Sequence, residues 1–107
     1  MAFKIPKTST PQDVADKLNK GEKLNLLDVR EPDEWAAGHV EGAKHIPLGQ
    51  LTGRMHELDP SKETIVICRS GNRSGLACEL LSEQGFDVVN MTGGLNAWTD
   101  KLVSLTL

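Results

Sequence analysis

The residues best equipped for chemistry are Cys68-Arg69-Ser70-Gly71-Asn72-Arg73-Ser74-Gly75. They follow Thr64-Ile65-Val66-Ile67, whose β-branched content fits a buried strand. They precede the apolar pairs Leu76-Ala77 and Leu80-Leu81, spaced to make one face of a helix. The spacing therefore predicts a cysteine at the C-terminal end of a strand, then a tight loop, then a helix N-terminus. A helix start presents unpaired backbone N–H groups and a partial positive charge. Successive N–H groups in a tight loop form an anion-binding concavity, and Arg69 and Arg73 add positive charge. A thiol placed there loses its proton easily, and the thiolate is the nucleophile. With a pKa of about 8.5 a thiol is about 3% ionised at pH 7; at about 6.5 it is about 75% ionised, for ~2.7 kcal/mol. The plainer alternative is a small apolar residue ending a core strand. Two arginines, two glycines and three small polar residues around Cys68 weigh against it.

The elements that must position this loop alternate along the chain. Thr10-Pro11-Gln12-Asp13 opens a helix with Val14, Ala15 and Leu18 on its buried face, stopped by Gly21. Residues 24–29 read as a buried strand. Glu31-Pro32-Asp33-Glu34 starts a short helix that Gly38 ends. Lys44-His45-Ile46 is a short strand, and residues 48–57 read as helical with Leu51, Met55 and Leu58 on one side. After the central strand and its helix, which Gly85 stops, residues 87–90 form another strand. Gly93-Gly94 leads into a last helix containing Leu95, Trp98 and Leu102. Trp35, Phe86 and Trp98 are expected to anchor the large-residue packing. Alternating strands and helices indicate an α/β domain with a mainly parallel sheet, which binds ligands outside the carboxyl ends of its strands. Asp28, Cys68 and Met91 all fall there.

With 107 residues, 38% hydrophobic and 25% charged, the chain reads as one globular domain over residues 1–107. A net charge of −3 argues against nucleic acid and leaves the loop's positive charge local, suited to a small anion. No apolar run is long enough to span a bilayer. The first residues, Met1 to Lys7, lack a signal peptide's apolar stretch, so the chain reads as cytoplasmic. His39, His45 and His56 lack metal-ligand spacing, and His39 is expected to brace its turn through a hydrogen bond; no metal or cofactor is expected. Cys78 reads as packing at the edge of the helix's apolar face.

Several stretches together resemble the rhodanese family of sulfurtransferases. They are Leu27 to Trp35, Gly38-His39-Val40-Glu41-Gly42-Ala43, Ile46-Pro47, Cys68 to Ser74 and Gly93-Gly94-Leu95-Asn96-Ala97-Trp98, in the family's order. The resemblance is to a single-domain form. It implies a five-stranded, mostly parallel sheet flanked by helices on both faces. It implies that Cys68 carries transferred sulfur as a persulfide, and that Arg69, Ser70, Gly71, Asn72, Arg73 and Ser74 bind the substrate. A basic residue at Arg69 favours thiosulfate as donor; a thiol, cyanide or a thioredoxin-like protein is the implied acceptor. Asp28 and Arg30 read as a supporting polar pair, and Arg73 as facing either substrate or an acid such as Asp28 or Glu34. A monomer or weak homodimer is expected.

Two other readings compete. A phosphatase or arsenate reductase also uses Cys and Arg in a loop before a helix, but related phosphatases place five residues between them, and only four separate Cys68 from Arg73. A non-catalytic regulatory or sulfur-carrier module is the other. The apolar tail, Leu102 to Leu107, is expected to dock on the body, with pairing to another chain as the alternative.

Overall fold

The computed structural model describes residues 7–105. Five short strands form one sheet: β1 (Lys7–Ser9), β2 (Asn25–Asp28), β3 (Lys44–His45), β4 (Thr64–Ile67) and β5 (Val88–Met91). Their spatial order is β1-β5-β4-β2-β3, and every pairing is parallel. The central strand is thus β4, and Cys68 is the residue that leaves it. All four residues of β4 are buried, as a strand covered on both sides must be.

Side-chain alternation divides the core into two. Leu27, Val29, Val66 and Cys68 point to one face and pack with Ala77, Cys78 and Leu81 of α4 (Asn72–Glu83), with Leu51 beside them. Leu26, Ile65 and Ile67 point to the other and pack with Val14 of α1 (Pro11–Asn19), Val40 and the half-buried Leu95 and Trp98. This is the period of two that a pleated strand imposes, and it puts helices on both faces. Two shorter helices complete the fold, α2 (Pro32–Ala37) and α3 (Leu51–Arg54). At the start of α1, Thr10 Oγ1 accepts the Asp13 N–H at 3.1 Å, the cap expected there.

The structure departs from the sequence reading in several places. β1 has no counterpart there, because Lys7-Thr8-Ser9 is a polar edge strand held through β5 without an apolar stripe. The helix over residues 48–57 is a single α turn, α3, between 3-10 turns at Leu48–Gln50 and Met55–Glu57. The last helix is only a 3-10 turn over Gly94–Ala97, and Trp98 is already extended. The amides of Leu95 and Asn96, which the start of a helix leaves unpaired, bond the cysteine loop, and the chain beyond runs extended to its bridge with His39. On α4 the buried face is Ser74, Ala77, Cys78 and Leu81; Cys78 is at its centre and Leu76 is exposed. Among the described residues, no tryptophan or phenylalanine belongs to the fully buried core. The bulk there is aliphatic, led by Leu27, Ile46, Leu51, Ile67 and Leu81.

The tail lies along the body through backbone hydrogen bonds, while Leu102, Val103 and Leu105 keep exposed side chains, so the docking expected of its apolar residues is only partly met. His39 and Val103 exchange backbone hydrogen bonds at 2.8 Å in an antiparallel bridge. The Leu105 N–H donates to Ala36 O at 3.0 Å. The tail residues Thr106 and Leu107 lie outside the described residues. No helix among the described residues is long and apolar enough to cross a membrane.

Candidate active site

The loop after β4 turns the chain into α4 through Gly71, which caps the helix at φ 100°. Only glycine takes that conformation without strain, and the turn aims the helix's first amides back at Cys68. The Gly71 N–H donates to Cys68 Sγ at 2.9 Å, and Ser74 Oγ lies 3.3 Å from the same sulfur. Cys68 has no exposed surface. That burial pushes its thiol up. The Ser74 hydroxyl and the backbone N–H groups of Ser74, Gly71 and Ser70 outweigh it, and the thiol sits below its ordinary value. Cys78 is the internal control. It is equally buried, and burial, with the neighbouring Cys68, pushes it up to about 12. Two buried thiols in one domain are driven in opposite directions because only Cys68 is ringed by donors.

The floor of the loop is held from below. Cys68 O accepts the Leu95 N–H and Arg69 O accepts the Asn96 N–H, both at 2.9 Å. Gly94 lies against this floor at φ 57°. A Cβ there would stand 2.5 Å from Arg69 C, Arg69 O and Cys68 O, well inside van der Waals contact. The Gly93-Gly94 pair is therefore part of the site, a role that spacing along the chain does not reveal.

The expected loop residues fall into two groups. Ser70, Gly71 and Ser74 act on the sulfur. Arg69 and Asn72 are exposed beside it, and Arg69 has no ion-pair partner among the described residues. Arg73 takes an acid: its guanidinium donates to both carboxylate oxygens of Glu34, at 2.6 and 2.9 Å. Glu34 also accepts the Glu31 N–H at the start of α2, at 3.0 Å. The Arg73 contacts, and that hydrogen bond, hold the Glu34 carboxyl at about 2 against burial. Asp28 and Arg30 pair with each other at 2.8 Å, both buried. Arg30 Nη2 also donates to Gly38 O at 2.7 Å, which latches the end of β2 to the end of α2. Trp35 stacks on His39 and His45, with centroids 3.5 and 4.7 Å apart, and His39 Nδ1 donates to Trp35 O at 2.6 Å. Asn90, which the sequence reading passed over, accepts from Ser74 Oγ at 2.5 Å. A polar residue inside the apolar run of β5 was the available signal.

The Glu34–Arg73 tie makes one prediction. A carboxyl whose folded pKa lies below its ordinary value stabilises the protein above that value and loses the effect as pH falls through the folded one. Here the loss runs from about 4.5 down to about 2. Glu34→Gln should therefore lower stability near neutral pH by about 1 kcal/mol, since the pair is partly exposed. The gap between variant and wild type should close across that acid window. Thermal midpoints measured against pH check this; a gap that persists to the acid end would show that the ion pair is not its source.

A loop between a central parallel strand and a helix N-terminus, carrying a thiol lowered by the Ser74 hydroxyl and loop amides, defines a class of α/β domains built around one cysteine. Within that class the family is shown directly: residues 10–101 match the family model described as a rhodanese-like domain, and the chain belongs to that family. It is 47% identical over 83 residues to a putative sulfurtransferase, YtwF, of Bacillus subtilis (strain 168), covering 78% of this chain and 81% of the relative. It is 36% identical to the thiosulfate sulfurtransferase GlpE of Pseudomonas putida, covering 82% and 81%. It is 41% identical to a putative sulfur carrier protein, YrkF, of B. subtilis, with 94% of this chain matched but only about half, 54%, of that longer relative. The crystal structure of a rhodanese-like domain protein from Staphylococcus aureus superposes with a TM-score of 0.87 at 30% identity, covering 92% of this chain and 97% of that one.

Proposed function

We propose that this protein transfers sulfane sulfur from thiosulfate, or a related anionic persulfide donor, to a thiol or cyanide through a persulfide on Cys68. The observation that carries the reading is the ring of donors on Cys68 Sγ, which lowers that thiol while Cys78 is raised. The Cys68 thiolate attacks the outer sulfur of the donor. The new Sγ–S bond forms as the donor's S–S bond breaks, and sulfite leaves with the bonding pair. The negative charge now rests on the outer sulfur, where the loop amides of residues 69–74 stabilise it as an oxyanion hole stabilises oxygen. The acceptor then attacks that outer sulfur, and Cys68 leaves as thiolate. No general base is needed once Cys68 is ionised, and the kinetics are ping-pong.

In this reading Arg69 recognises the donor's anionic end, and its exposure beside the loop supports that role. Arg73, held by Glu34, contributes charge near the sulfur and fixes the loop. The same tie takes Arg73 away from the clamping role that a phosphoryl-transfer reading would give it. Arg69→Ala should raise the KM for thiosulfate about tenfold and lower kcat less, as expected for loss of one exposed charge contact. An unchanged KM would remove Arg69 from donor recognition. The proposed setting is a reducing compartment such as the cytoplasm, where both cysteines stay free.

The test is mass spectrometry of the protein after thiosulfate, mercaptopyruvate, glutathione persulfide or an aryl phosphate. A gain of one sulfur atom with thiosulfate, discharged by cyanide as thiocyanate, is the expected result. No gain with any sulfur donor, together with Cys68-dependent phosphate release, would overturn the reading.

A further inference from the structure

The Ser74 hydroxyl has one hydrogen and faces two acceptors. Its Oγ lies 3.3 Å from Cys68 Sγ and 2.5 Å from Asn90 Oδ1, and Ser74 is fully buried. Asn90 sits on β5 next to the central strand, in register with Val66. Its amide nitrogen donates to Gly71 O at 3.3 Å, which turns its oxygen toward Ser74. While Cys68 is a thiol, a continuous chain forms: S–H donates to Ser74 Oγ, and Ser74 O–H donates to Asn90 Oδ1. A thiolate can only accept. When the thiol proton leaves to solvent, the Ser74 hydrogen must swing onto Sγ, and Asn90 Oδ1 loses its donor. In a persulfide the charge moves to the outer sulfur, Sγ is neutral again, and the hydrogen returns to Asn90.

We propose that Asn90 is a positioning residue which, through the Ser74 hydroxyl, favours the two forms of Cys68 with a neutral Sγ, the thiol and the persulfide, over the thiolate. The persulfide half rests on the sulfur-transfer reading above; the thiol half does not. The effect is a brake: it makes a loaded Cys68 a less ready leaving group and so prolongs storage of the sulfur. The other charged or titratable groups around Cys68 are Arg69 beside it, Arg73 with Glu34, Cys78 on α4, and the Asp28–Arg30 pair at the end of β2. All of them are retained in the Asn90 variants, so a difference between those variants isolates Asn90.

The experiment follows iodoacetamide alkylation of Cys68 against pH, reading the Cys68 peptide by mass spectrometry so that Cys78 does not contribute. Asn90→Ala frees the Ser74 hydrogen for the thiolate, and the midpoint should fall by about half to one pH unit, the scale of one hydrogen bond. Asn90→Asp puts a charged acceptor on the same hydrogen, and the midpoint should rise by at least as much. Both variants lose the bond to Gly71 O, so a purely structural role would move both midpoints upward as the loop loosened. In a Ser74→Ala background the Asn90→Ala shift should vanish, because Asn90 acts through that hydroxyl. Midpoints that stay put or move in the same direction, or an Asn90→Ala shift that survives without Ser74, would overturn the proposal. For the loaded form, Asn90→Ala persulfide made with thiosulfate should hand its sulfur to cyanide faster than wild type; an equal or slower discharge removes the storage role. The alkylation arms need no sulfur donor. Opposed midpoints in a protein that never forms a persulfide would leave the relay standing while the sulfur-transfer reading fell.

Discussion

Cys68→Ser is expected to abolish sulfur uptake from thiosulfate and to cut thiocyanate production from cyanide by at least about a thousandfold, the scale on which losing the attacking atom is felt. A serine hydroxyl stays protonated near neutral pH, so the donors that lower the Cys68 thiol have no anion to hold. The replacement should nevertheless fold. Serine is close to cysteine in size, and the Gly71 N–H and Ser74 hydroxyl that face Sγ can hydrogen-bond an oxygen instead. The thermal midpoint should stay within a few degrees of wild type, a change of about 1 kcal/mol or less. Coupled measurement of mass gain, turnover and melting separates loss of chemistry from loss of structure. Unchanged turnover in a folded Cys68→Ser protein would end the persulfide mechanism.

The second large effect is expected far from the thiol in sequence. Gly94→Ala should lower turnover at least about a hundredfold, the penalty of misplacing a reacting group by about an ångström. Three backbone atoms of the loop stand 2.5 Å from where the new methyl would be. They cannot retreat as a flexible side chain would, because Leu95 and Asn96 hold the same carbonyls at 2.9 Å. The backbone at φ 57° adds strain for any residue with a Cβ. A destabilisation of about 2 kcal/mol should accompany the loss. The Cys68 thiol should also move up toward its ordinary value as the donors lose their aim. Alkylation against pH and turnover, measured on the same preparation, check both. A variant with wild-type turnover and an unshifted thiol would show that the loop tolerates the intrusion.

How much was legible in advance depended on how local the cause was. The central strand was plain, because Thr64-Ile65-Val66-Ile67 is buried on both faces and so carries apolar, β-branched residues throughout. The loop was plain because its glycines, arginines and small polar residues are adjacent in the chain. β1 was hidden, since a polar edge strand takes its order from β5 rather than from its own pattern. Leu95, Trp98 and Leu102 have helical spacing, but the chain extends at Trp98 and runs on to bridge His39 through Val103, a pull that comes from another element. Of the two acids considered for Arg73, only the fold could choose Glu34, by setting α2 against the start of α4 while Asp28 turned to Arg30. Asn90 was overlooked because its partner comes from another element.

The clamp beneath the loop has a consequence for how the protein matures. The carbonyls of Cys68 and Arg69 are secured by amides that leave the ribosome well after the cysteine does. The floor of the loop therefore cannot form from the segment around Cys68 alone. It closes only when Gly94, Leu95 and Asn96 have come underneath, so the geometry around the thiol belongs to the whole fold rather than to its own loop.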